Sequence, residues 1–182
     1  MARPRRPERA GESRGAGAER TAAGRAPNAD PYVAGLTLLA ARDLTAAQLA
    51  ERLRRRGFTP QAAEIAVRRL RREGALDDHR AATAFARHAM AVRRRGPARI
   101  ARELAARGVE PSVAEAAITE ALDGRGPEAL LERSLDRRLS GPIESRAEFR
   151  RLYQYLLRQG FEGAMAAAAL RRRAGGDAVP DE

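Results

Sequence analysis

The sequence predicts an all-α protein: three tandem three-helix repeats forming an elongated, curved array. Three observations predict it. Ala, Leu, Arg and Glu dominate the chain from residue 30 onward, and these are strong helix formers. Prolines stand where helices would begin, at Pro31, Pro60, Pro97, Pro111 and Pro127; proline at the first helical position loses no intrahelical hydrogen bond. The helical segments also align with one another on Gly57, Gly108 and Gly160, at intervals of 51 and 52 residues.

Taken in order, residues 1–29 are rich in Gly, Pro, Ala and Arg without apolar periodicity, and are expected to be a disordered basic arm. The first helix is expected over 31–42, behind Asp30 as side-chain N-cap. The second is expected over 45–56, where Thr45-x-x-Gln48 has capping-box spacing, and the third over 60–73, behind Thr59. The fourth is expected over 78–94, with Asp77 or Asp78 as cap. Pro97, Pro111 and Pro127 open helices over 97–107, 111–122 and 127–139. Ser145-x-x-Glu148 opens the eighth, over 145–158, and a ninth covers 162–173. Residues 175–182 read as a disordered tail. The repeats are therefore expected at 30–77, 78–126 and 127–174.

Each aligned glycine has a leucine four residues before it: Leu53, Leu104 and Leu156. Eight before lie Leu49, Ile100 and Leu152; one after, Phe58, Val109 and Phe161; ten after, Val67, Ile118 and Leu170. Spacings of four and eight place these side chains on one helix face. The glycine suits a left-handed C-cap, and the apolar residue after it can fold back on the helix just ended. One such repeat buries a marginal core, so neighbouring repeats are expected to share apolar surface.

The chain has 182 residues, 35 basic and 24 acidic, for a net charge of +11, and every basic residue is Arg. That surplus favours a polyanionic partner. It is spread along the chain: +4 over residues 1–29, +2 over 30–78, +4 over 79–126 and +4 over 127–174, with −3 over the last eight. The chain has no Cys, which excludes disulfides, thiolate metal sites and cysteine nucleophiles. His79 and His88 have no thiolates to join in a zinc site. No apolar run approaches the ~18–20 residues of a membrane span. Arg3, Arg5 and Arg6 precede no apolar stretch of a secretory signal, so a cytoplasmic protein with no membrane partner is expected.

No catalytic constellation emerges, and neither an enzyme nor a cofactor is expected. Adjacent Asp77, Asp78 and His79 point in different directions and suit helix capping better than metal binding. Gly15-x-Gly17 follows no strand and is no nucleotide fingerprint. The arginine runs carry more information: Arg54–Arg56, Arg68-Arg69, Arg71-Arg72, Arg93–Arg95 and Arg171–Arg173. Most lie in a last helical turn, where the helix dipole favours cations, and Glu51–Arg55 and Glu64–Arg68 have the spacing of surface pairs. Five runs exceed what dipole compensation requires, and along an array they could track a phosphate backbone without reading sequence.

Residues 31–122 resemble the RecX family of regulatory proteins. The resemblance begins at Gly35-Leu36-Thr37-Leu38-Leu39, with Arg42, Thr45 and Leu49, and continues through Leu53, Arg56-Gly57-Phe58 and Leu70. Its sharpest motifs are Gly74-Ala75-Leu76-Asp77-Asp78 and Arg95-Gly96-Pro97-Ala98-Arg99-Ile100, followed by Leu104 and Gly108. A looser third match ends in Tyr155-Leu156-Leu157-Arg158-Gln159-Gly160-Phe161, extending the similarity to about residue 173. Two positions depart from the family pattern: Ala81 replaces the usual Phe, and Gln159 replaces an Arg. The resemblance implies a three-helix-repeat protein that binds the RecA recombinase filament and modulates it, usually as an inhibitor.

On that reading a monomer with a basic surface meets the RecA–single-stranded DNA filament, with weak direct nucleic-acid binding. Arg68, Arg72, Arg93, Arg94, Arg95 and Arg99 are the expected contact residues; Gly57, Asp77, Asp78, Gly96, Pro97, Gly108 and Gly160 are the expected structural motif. The alternative is a helix-turn-helix transcription regulator formed by residues 45–74, although Gln61-Ala62-Ala63-Glu64 offers little base-reading chemistry. A passive helical scaffold is the third reading.

Overall fold

The structure, a computed structural model, describes residues 30–175; the expected arm at 1–29 and the tail beyond Gly175 lie outside the described residues. The described chain forms nine helices: α1 (Pro31–Ala41), α2 (Ala46–Arg55), α3 (Pro60–Arg72), α4 (Asp78–Ala91), α5 (Pro97–Ala105), α6 (Pro111–Leu122), α7 (Gly126–Asp136), α8 (Arg146–Gln159) and α9 (Gly163–Arg173). Beyond the helices, an isolated parallel bridge pairs Ile143 with Ala174.

Side-chain caps set five of the starts. The Tyr32 N–H donates to Asp30 at 2.8 Å, the Ala62 N–H to Thr59 at 3.2 Å and the Arg80 N–H to Asp77 at 3.0 Å. Thr45 and Gln48 form both halves of a capping box. Ser145 accepts from the Glu148 N–H, but the Glu148 carboxylate accepts from the Glu144 N–H, one residue upstream of a reciprocal box. Asp77, and not Asp78, caps α4; Asp78 is used elsewhere.

Two helices stop three residues short of expectation. α4 ends at Ala91, and Arg94 behind it takes a left-handed conformation (φ 53°) that its residue type does not announce. α7 starts one residue early, at Gly126, and ends at Asp136.

The repeat is carried into three dimensions. Gly57, Gly108 and Gly160 have φ of 87°, 72° and 90°. After each, the next amide returns to a carbonyl five residues back: Phe58 to Leu53 at 3.2 Å, Val109 to Leu104 at 3.1 Å and Phe161 to Leu156 at 3.1 Å. The glycine amides themselves bond Arg54, Ala105 and Leu157, completing three Schellman motifs. All twelve aligned apolar positions are buried.

Within the first helix triplet, α1 packs on α3 and α2. Gly35 allows the close approach: a Cβ there would sit 2.6 Å from Leu70 Cδ1. The Tyr32 hydroxyl donates to Glu73 at 2.5 Å, and Arg69 stacks over the Tyr32 ring while pairing with Glu73. In the second triplet α4 packs on α6, and the buried residues of the two helices include Ala82, Ala86 and Ala89 on one and Ala114, Ala117 and Ile118 on the other, mostly small side chains. The expected sharing of apolar surface joins only the second and third triplets. One core cluster runs from Ala82 to Leu170; Leu44, Leu49, Leu53, Phe58, Leu70 and Leu76 form a separate one.

The triplets meet through the ends of their middle helices. The Gly96 N–H donates to Gln159 O at 2.8 Å and the Ala98 N–H to Gly160 O at 3.2 Å, so the C-terminal turn of α8 satisfies the N-terminus of α5. Gly96 has no capping side chain of its own. Contact is so close that a Cβ on Gly96 or on Gly160 would lie 2.5 Å from Gly160 O or Arg99 Cβ respectively. The preceding junction repeats the theme. Thr45 Oγ1 donates to Arg107 O at 2.7 Å, the Ala46 N–H donates to Asp78 at 2.7 Å, and a Cβ on Gly108 would lie 2.5 Å from Ala47 Cβ. Asp78 also pairs with Arg71 at 2.5 Å. Gly57, the third counterpart, faces open space.

Two outcomes follow for stability. Gly57→Ala should cost about 1–2 kcal/mol from the left-handed backbone alone, whereas Gly160→Ala should cost at least ~2 kcal/mol more because its Cβ collides with α5; urea unfolding of both variants measures the difference. Hydrogen bonds from the Arg80 and His79 amides hold the Asp77 carboxyl below its ordinary pKa. Its contribution is therefore present above the unfolded carboxylate pKa and is lost as pH falls through the folded value. The stability gap between wild type and Asp77→Asn should shrink over that acidic range in pH-dependent urea titrations.

Candidate nucleic-acid interface

Much of the positive charge is neutralised within the fold. Arg54 and Arg55 both pair with Glu51, at 2.8 and 2.9 Å. Their hydrogen bonds hold the Glu51 carboxyl below its ordinary range. Arg172 and Arg173 clamp Glu132 at 2.6 Å each, and Arg173 also reaches Asp136 at 2.6 Å, tying α9 to α7. Arg87 pairs with Glu120 at 3.0 Å, and the same carboxylate lies 3.6 Å from His79 Nε2. Among the described residues, no group of three or more His, Asp or Glu could hold a metal ion.

The six expected contact residues divide. Arg95 and Arg99 are turned inward. Arg95 pairs with Glu103, and Arg99 donates to Glu103 at 3.1 Å and to Arg158 O at 3.1 Å. Their side chains are 16% and 33% exposed, and they fix the turn before α5 and the α5–α8 junction. Arg68 is exposed and lies a loose 3.8 Å from Glu64. The Arg72 and Arg93 side chains are exposed and make no hydrogen bond or ion pair among the described residues, although the Arg72 charge helps to lower the neighbouring Glu73 carboxyl. Arg94 is half-buried in the left-handed turn after α4.

A more coherent basic surface lies on the third triplet. Arg138, Ala147, Arg150, Arg151, Gln154, Tyr155 and Arg158 line an open groove of about 780 Å³ along α8. Phe149, Leu152 and Leu156 take the buried face of that helix, which leaves Arg150, Arg151, Gln154 and Arg158 on the outer one. Arg138 arrives from beyond the end of α7 and stacks over the Tyr155 ring, 3.8 Å from its centroid. Arg150, Arg151 and Arg158 have no ion pair among the described residues, and no acidic residue lines the groove. Four guanidinium groups around an aromatic floor can meet phosphates, carboxylates and a stacked base.

The five arginine runs singled out in the sequence leave out the consecutive pairs Arg137-Arg138 and Arg150-Arg151, which carry three of this groove's arginines. Its arginines lie at one, two and nine residues after Phe149 and on a second element. The available signal was helical periodicity: Arg150, Arg151, Gln154 and Arg158 share the face opposite the apolar stripe.

Between them, α5 and α6 form a mainly apolar groove of about 660 Å³, lined by Pro97, Ala101, Ala105, Pro111, Ile118 and Leu122 among others. No described helix is long and apolar enough to cross a membrane.

Comparison with known proteins agrees with this architecture. A family model described as "RecX, second three-helix domain" matches residues 77–118, and "RecX, first three-helix domain" matches 32–70. The "Regulatory protein RecX" of Halorhodospira halophila is 36% identical over 137 residues, covering 75% of this chain and 83% of its own length. That of Trichlorobacter lovleyi is 36% identical over 139 residues, covering 72% and 88%. A crystal structure of RecX from Lactobacillus salivarius superposes with a TM-score of 0.61 at 20% identity, covering 78% of this chain and 93% of that one. A second RecX crystal structure gives 0.62 at 19% identity, covering 78% and 70%.

The two classes of arginine should separate experimentally. Glu103→Ala leaves two guanidinium groups without their shared carboxylate and should lower unfolding free energy by about 2 kcal/mol. Arg68→Ala should stay within about 0.5 kcal/mol of wild type. Urea denaturation of each variant checks both values.

Proposed function

Because the chain belongs to the RecX family of regulatory proteins, we propose that it binds the RecA–single-stranded DNA filament and lowers its recombinase, ATPase and coprotease activities. The observation that carries the reading to a surface is the α8 groove, with its unpaired arginines and aromatic floor. A nucleoprotein filament offers two matching chemistries, phosphates and acidic protein surface. Arg68, Arg72 and Arg93 add further exposed cations on the other triplets. Arg95 and Arg99 serve indirectly, by fixing α5 against the end of α8. Many weak contacts on one body add through avidity, so no single arginine needs to be strong. The apolar groove between α5 and α6 supplies area suited to protein rather than to nucleic acid.

A titration of the chain into RecA filaments on single-stranded DNA should lower ATPase and strand exchange, with the effect fading as salt rises. The double variant Arg150→Ala/Arg151→Ala should weaken filament binding roughly five- to tenfold and reduce the log–log salt slope by about 1.4, the value for two lost phosphate contacts on a single strand. Unaltered ATPase at low salt with saturating wild-type chain overturns the proposed function.

A further inference from the structure

Clustered arginines in this fold usually share a carboxylate. Arg54 and Arg55 meet at Glu51, Arg95 and Arg99 at Glu103, and Arg172 and Arg173 at Glu132. At the seam between the first and second triplets a third kind of arrangement occurs. Arg42 from the end of α1, Arg52 from α2 and Arg107 from the turn after α5 line one cleft of about 200 Å³. Arg42 and Arg52 make no hydrogen bond or ion pair among the described residues. Desolvation first, and then the charges of Arg42, Arg55 and Arg56, push the Arg52 guanidinium below its ordinary pKa. Asp43 is the one acidic side chain on the wall, and it pairs with none of the three.

The cleft is also preshaped. Arg107 donates through Nη1 to Glu103 O at 2.6 Å and lies over the Phe85 ring, 4.0 Å from its centroid, which fixes its plane and leaves its other N–H groups available. Its own carbonyl accepts from Thr45 Oγ1. Gln48 accepts the Thr45 N–H through its amide oxygen, so its amide nitrogen remains as a further donor. Ala81 contributes only a methyl group to the wall. The space is below the roughly 300–1,000 Å³ of organic-ligand pockets and suits one small anion.

We propose that this cleft binds a single tetrahedral oxyanion, a phosphate group, between Arg42, Arg52 and Arg107. Guanidinium forks match phosphate oxygens, and the anion relieves the repulsion that no carboxylate relieves here. Arg42 and Arg52 belong to the first triplet and Arg107 to the second, so the occupied site adds a bridge across the seam beside the bonds of Thr45, Ala46 and Asp78. The site shares no residue with the α8 groove and stands or falls apart from it.

Thermal unfolding of the full chain tests this, with sodium phosphate replacing sodium chloride at constant ionic strength. At tenfold over its Kd, phosphate should raise Tm by about 3–6 °C. Arg52→Gln should weaken phosphate about tenfold and remove most of that rise, whereas Arg150→Ala/Arg151→Ala should keep it. An equal rise in Arg52→Gln is a general salt effect and overturns the proposal, as does a rise lost with the groove pair instead. Heteronuclear NMR gives the location. Phosphate should shift the amides of 42–52 and 104–107 saturably in wild type, and Ala81→Leu, which fills the cleft, should abolish those shifts. If Ala81→Leu does not fold, Arg42→Gln makes the same comparison. Saturable shifts confined to other residues, or none, overturn the proposal. Oligothymidylate in place of phosphate identifies the source: the same amides shift if backbone phosphates enter, and stay unmoved if the site takes only a free phosphate ion.

Discussion

The architecture depends on how helix ends are satisfied. The N-terminus of α5 receives the last carbonyls of α8, and the N-terminus of α2 is met by the Arg107 carbonyl and the Asp78 carboxylate. Unpaired amides at a helix start are costly when buried, and here the neighbouring triplet removes that cost. The arrangement works only if the chain turns sharply after α5 and α8 and leaves no Cβ in the contact. Glycine at 108 and 160 meets both demands, and glycine at 96 meets the second. Pro97 fits the same logic, since a residue without an N–H at the start of α5 leaves one donor fewer to satisfy. The Arg95-Gly96-Pro97 motif therefore works as the joint between the second and third triplets.

The arginines divide by the same geometry. Arg95 and Arg99 reinforce that joint through Glu103, and Arg71 reinforces the preceding one through Asp78. Arg172 and Arg173 hold α9 to α7. A subset of exposed cations is left without an ion pair among the described residues, and Arg150, Arg151 and Arg158 of the α8 groove belong to it. Guanidinium suits both tasks, because its planar fork can bridge two acceptors inside the fold and grip phosphate outside it.

The helices were largely legible in the sequence because their signals are local. Asp30, Thr45, Thr59, Asp77 and Ser145 each cap through the side chain their position suggests, and the glycine-centred repeat predicted twelve buried positions that are all buried. The end of α4 was not legible, since Arg94 adopts a backbone conformation usually signalled by Gly or Asn. The use of Asp78 was hidden for another reason: its partners, the Ala46 amide and Arg71, come from another triplet. The pairs Arg137-Arg138 and Arg150-Arg151 were legible as runs, but their convergence was not, because Arg138 and Tyr155 are 17 residues apart in the chain and meet only in the fold. Among the departures from the family pattern, Gln159 contributes its backbone carbonyl to the joint, so the exchanged side chain leaves that bond intact. Ala81 lines a 200 Å³ cleft with Leu44, Thr45, Phe85 and Leu104, where a larger side chain would fill space.

The two joints are built from different materials. Second and third triplets share a dry core, while the first keeps its own and is fastened by directional polar bonds around Thr45, Ala46 and Asp78. A dry core resists separation along its whole area; a few hydrogen bonds yield first to changes of angle. The first seam therefore depends more on the directions of a few polar bonds, and the second on buried apolar area.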